Sequence, residues 1–158
     1  MIDREVALRF VAFWHLGAEH YTEETDGTLD SFLLRATRSV DEPRTVTDVQ
    51  LDQIASAFAQ GLDNAYTIFA EYAFRKWPSG DDSRKPFNRA LFECWSVELA
   101  RHNRDQIKES AYRIREVARE AFKVDMPYLA SVTAGTGSAL NVEQRFRHTR
   151  ALIADALG

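Results

Sequence analysis

One cysteine, Cys94, stands among 158 residues, so no internal disulfide can form and a reducing setting fits best. Long apolar runs are missing too. The longest, Phe10 to Trp14, falls far short of the roughly 20 residues that a membrane helix needs. The opening MIDREVALRF has neither the basic leader nor the small-residue cleavage site of a signal peptide. The expectation is a soluble, cytoplasmic protein. Seven glycines and four prolines, against 45% hydrophobic residues, exclude collagen-like and low-complexity chains. Neither sign of charge dominates: 20 basic and 24 acidic residues give −4, which is not the footprint of a general nucleic-acid coat. The charge is nevertheless uneven. Residues 19–63 carry ten acids against three arginines, whereas 101–124 carry seven bases against four acids.

What is present is helical periodicity almost throughout. Asp3 is read as the cap of a first helix reaching about His20, with Val6, Phe10, Phe13 and Trp14 on one side. Thr28 or Asp30 opens a second helix, and Pro43 closes the linker after it. Thr47 caps the longest helix, whose apolar stripe runs from Leu51 to Ala73 with Gly61 inside it, a position that suggests close packing of a neighbour. Residues 77–83 read as a mobile polar loop. Pro86 opens a fourth helix ending near His102 and Asn103. A fifth spans about Arg104 to Val124 and is ended by Pro127. Residues 129–141 read as a loop, and Asn141 caps the last helix. No stretch alternates as a strand would. The predicted architecture is an all-α bundle of about six helices, two of them long, forming one domain over 1–158.

Three constellations could carry chemistry. His15, Glu19 and His20 could offer two ligands on one helix, but zinc sites need three or four, so capping and solvation are the expected roles. Cys94 could act as a nucleophile, yet it lies on an apolar stripe and reads as a small hydrophobe. Gly135, Thr136, Gly137 and Ser138 could cradle a phosphate, but no P-loop lysine and no preceding strand accompany them, which leaves a helix connection. The expectation is therefore no catalytic residue, no metal and no cofactor.

The basic residues point elsewhere. Arg104, Lys108, Arg115 and Arg119 fall mostly on the outer side of the fifth helix, and Arg145, Arg147 and Arg150 crowd the start of the sixth. Arginine-rich helices suit phosphate backbones, so these seven are candidate nucleic-acid contacts. Interspersed acids could equally pair with them along each helix.

Several segments in order, RxxALRFVAFW (4–14), LDSFL (29–33), AFRKW (73–77), PFNRALFE (86–93), the GTGS loop (135–138) and VxxRF (142–146), resemble the helical region of the ParB-like nuclease family, the GmrSD-type restriction and anti-phage proteins. In that family a lobe bearing an Asp-Gly-Gln-Gln-Arg motif precedes this region, and many members add an HNH nuclease domain. Neither motif occurs here. Arg9, Phe10, Phe32, Phe87, Asn88, Arg145 and Phe146 match as packing and interdomain positions. The resemblance implies a non-enzymatic helical module that meets a protein partner or an adjoining nuclease lobe, with DNA contact as a possible addition. The alternative is an independent DNA-binding module using the basic fifth and sixth helices.

Overall fold

A computed structural model describes residues 2–22, 27–42 and 45–158. Among these residues seven α-helices follow in order: α1 (Ile2–His15), α2 (Leu29–Asp41), α3 (Asp48–Phe69), α4 (Arg89–Leu99), α5 (Arg104–Val124), α6 (Met126–Ser131) and α7 (Ala139–Leu157). The fold is all-α, and α3 and α5 are the two long helices, at 22 and 21 residues. No strand forms among the described residues; a lone antiparallel bridge joins Arg75 to Phe87.

α4 is the centre. Every residue from Ala90 to Leu99 is buried, because α1, α3 and α7 all pack on it. α2 lies on α1, α5 packs on α3 and α7, and α6 bridges α5 and α7. The core is aromatic, with Phe13 set between Phe32 and Phe146 and Phe69 edge-on to Trp95. Such ring pairs add about 0.5–1.5 kcal/mol beyond the area they bury. At Gly61 the backbones of α3 and α4 meet, since a Cβ built there would lie 2.2 Å from the Ser96 carbonyl oxygen. The close packing expected from that glycine is real.

Helix ends follow local chemistry and correct several boundaries. Gly17, at φ +87°, turns the chain out of α1, so a short 3₁₀ turn (Ala18–His20) replaces the expected last turn. Helix α1 begins at Ile2, so Asp3 lies inside it; the Asp3 side chain and Pro43 lie outside the described residues. Thr28 caps α2, and Thr47 with Gln50 forms a capping box on α3. α3 stops at Phe69, four residues before its apolar stripe ends, because Ala70 takes φ +48° and leads into a 3₁₀ turn. Asn88, not Pro86, starts α4, and Asn103 is the cap of α5 rather than the end of α4. Pro127, read as the end of the fifth helix, stands in the first turn of the short α6, whose residues 129–131 were expected to be loop; proline suits a first turn because its missing N–H has no partner there anyway. Ser138, not Asn141, caps α7.

Candidate functional site

Glu93 lies on the buried central helix with 1% of its surface exposed, and two arginines converge on it. Arg9 of α1 binds one carboxylate oxygen and Arg145 of α7 the other. Arg9 also holds Glu5 at 3.0 Å, and Glu5 in turn takes Arg89 at 3.2 Å. Burial costs the Arg9 guanidinium, but Glu93 and Glu5 outweigh that cost and leave its pKa raised. The second acid of α4, Glu98, is gripped by Nη2 and Nε of Arg150, at 2.9 and 3.1 Å, and by Arg101 at 3.6 Å. α7 thus clamps the central helix at two carboxylates.

Four of the predicted nucleic-acid residues have partners within the fold. Arg145 is wholly buried and also donates to the Thr136 carbonyl at 2.7 Å, so no phosphate can reach it. Arg115 donates from Nε to the Ile68 carbonyl at 2.7 Å, closing the C-terminal end of α3. Arg119 binds Asp82 at 2.8 Å and covers the Trp77 ring at 4.2 Å. Arg150 is committed to Glu98. Arg104, Lys108 and Arg147 remain exposed, with no ion pair among the described residues. Partners from other elements, which helical spacing does not show, consume the other four.

The segment between α3 and α4 is held and not free. Asn88 N–H donates to the Phe74 carbonyl, Ser79 N–H to the Arg119 carbonyl, and Trp77 Nε1 to Asp82. Tyr72 stacks on Trp77 at 4.0 Å and donates to the Asp82 carbonyl. The predicted mobile loop is therefore stapled to α5. Its far end presents Phe87, 40% exposed, packed against Phe74 and Phe92. Asn88 beside it caps α4 and donates to the Val132 carbonyl at 2.7 Å, tying α4 to the α6–α7 connection.

Two grooves meet at Phe87 and Asn88. One, of about 450 Å³, has Phe87, Phe122, Leu129, Pro78 and Pro86 as its apolar lining and Lys76 and Lys85 as its charges. The other, of about 360 Å³, is polar and is lined in part by Arg9, Arg89, Glu93 and Thr136. Lys76 joins them, donating to the Thr133 hydroxyl at 2.7 Å, and burial lowers its pKa. Sequence reasoning missed this site. The available signal was a cationic segment, with Arg75, Lys76, Arg84, Lys85 and Arg89 against Asp81 and Asp82, surrounding Phe87.

The other candidates take structural parts. His15 Nε2 lies 2.9 Å from Ser39 Oγ, and among the described residues no group of three His, Cys, Asp or Glu could hold a metal ion. Cys94 is buried, which pushes its thiol pKa up to about 12, far from a thiolate nucleophile. In the GTGS loop the carbonyls point at side-chain donors: Thr136 takes Arg145, Gly137 takes the Tyr21 hydroxyl, and Gly135 takes Asn141 at 2.8 Å. Such a loop is tied inward through its carbonyls. Compared with protein-family models, curated proteins and solved structures, the chain matches none. No described helix is long and apolar enough to cross a membrane.

Proposed function

We propose that the chain is a non-enzymatic helical module, the accessory lobe of a GmrSD-type defence system, working through contact with a nuclease lobe. One observation carries this reading. The segments behind the family resemblance, distant in sequence, converge on one wall: Arg9 from the first, Asn88 and Glu93 from the fourth, and Arg145 from the last. That wall ends at a half-exposed Phe87 beside an open groove, and an exposed aromatic over a groove marks an interaction surface more than a packing position.

The test is association in trans. The purified chain is mixed with a separately expressed ParB-like lobe carrying the Asp-Gly-Gln-Gln-Arg motif, and complex formation is followed by sedimentation. A stable complex is the expected result; two species that sediment independently would overturn the reading. The independent DNA-binding alternative keeps Arg104, Lys108 and Arg147 of its seven residues, which leaves it a much smaller electrostatic footprint.

A further inference from the structure

The meeting point of the two grooves has an apolar floor and a rim with surplus positive charge. Phe87, Phe122 and Leu129 form the floor. Around it stand Arg9, Lys76, Lys85, Arg89 and, behind the wall, Arg145. Their acidic partners are fewer. Glu93 is shared by Arg9 and Arg145, Glu5 by Arg9 and Arg89, and Asp81 holds Lys85 at 2.8 Å. Lys76 has only the Thr133 hydroxyl, with no carboxylate among the described residues. Among the described residues the four lining cations, with Arg145 buried behind them, thus meet three carboxylates, in a chain whose net charge is −4. The surplus is concentrated where the surface is also concave and apolar.

We propose that this groove binds an acidic segment of a partner protein, with one apolar or aromatic anchor side chain seated against Phe87 and flanking carboxylates set between Lys76 and Arg89. The proposal rests on the protein-contact reading above and gives that contact its chemistry. A pit of about 450 Å³ suits one or two side chains. An acid beside Lys76 would supply the counter-charge that its partly desolvated ammonium lacks. A nucleic acid would instead call for a stripe of bases matching successive phosphates; here two surplus charges bracket a greasy hollow. Charge complementarity of this kind sets orientation and encounter rate, and the buried anchor supplies most of the affinity.

The experiment measures fluorescence anisotropy of the full chain with a set of labelled short peptides, each carrying one Phe, Leu or Trp flanked by Asp and Glu. Basic-flanked and alanine-anchored counterparts serve as controls, and a single-stranded oligonucleotide forms a further arm. Acid-flanked, anchored peptides should bind. Lys76→Glu and Arg89→Glu should each weaken them about tenfold or more and flatten their salt dependence. Phe87→Ala should weaken them with the salt dependence retained, and Phe87→Leu, milder on the Phe74 and Phe92 contacts, should fall between. Equal unfolding temperatures show that the variants are folded.

The proposal falls if acid-flanked peptides bind no better than basic ones, if no groove variant changes their binding, or if only the oligonucleotide responds to those variants. Peptide binding with no association of the ParB-like lobe supports the groove's occupant and overturns the accessory-lobe reading. Lobe association that the groove variants leave untouched does the reverse.

Discussion

At Glu93 two positive side chains and one negative one share a largely buried space at the back of the polar groove. Such a cluster is worth most as an asymmetry. Replacing all members with apolar groups can be nearly neutral, whereas removing one leaves a buried charge without compensation. Glu93→Ala should therefore lower stability by about 3–5 kcal/mol in denaturant unfolding. Adding Arg145→Met to that variant should recover part of the loss; a Glu93→Ala chain as stable as the parent would refute the clamp.

Cys94 gives a second residue-scale prediction. Its pKa is raised by burial, from near 9.0 to about 12, so the folded thiol stays protonated where an unfolded one ionises. The stability from this group is whole below about 9.0, the unshifted thiol value, and is lost as pH rises toward 12. A thiol reagent at pH 8 should label Cys94 only as fast as the chain unfolds, and rapid labelling of native protein would contradict its burial. That Cys94 is a core residue was legible from its stripe position. That Arg145 and Arg150 serve Glu93 and Glu98 was not, because helical spacing shows partners on the same helix and these acids lie on another.

Among the elements, the crossing of α3 and α4 is the most tightly specified. Alanine at position 61 would gain about 1 kcal/mol of helix propensity, but its Cβ would sit 2.2 Å from a backbone oxygen that cannot swing aside. Overpacking of that kind typically costs 1–3 kcal/mol and more where backbone must move. Gly61→Ala should thus be net destabilising by about 2 kcal/mol, measured by thermal or denaturant unfolding; a stabilised variant would mean that the helices can separate cheaply. Periodicity made the five longer helices after α1 legible, and hydroxyl caps placed the starts of α2 and α3, since both signals are local. Boundaries failed where a tertiary contact decided them. Arg115 reaching the Ile68 carbonyl accompanies the early end of α3, and Asn141, a plausible cap, is spent on the carbonyls of Ala134 and Gly135.

For the whole molecule the question is how its charge meets other molecules. Three unpaired bases on the predicted DNA face can neutralise about three phosphates, so any affinity for duplex should vary with salt with a slope no steeper than about −3. Binding should be weak at low salt and gone near physiological salt, and Arg104→Ala with Lys108→Ala should remove it. Tight binding with a steep slope would favour the independent DNA-binding module. The all-α class was legible across the whole chain, because every long segment repeats at helical spacing. The groove was not, because its walls come from α1, the α3–α4 segment, α4, α5, α6 and the α6–α7 connection, and only folding brings these together.

The double clamp of α7 on α4 also bears on how the chain matures during synthesis. α4 is the helix around which the others pack, yet both of its acids depend on arginines that leave the ribosome well after it. Until residues 145 and 150 emerge, Glu93 has only Arg9, and Glu98 has only Arg101. A nascent chain that buried α4 early would strand two carboxylates in a medium that tolerates them poorly. The expected outcome is that α4 docks loosely until the nineteen-residue α7 supplies both partners, so a chain cut before Ala139 should be digested by a protease much faster than the full chain.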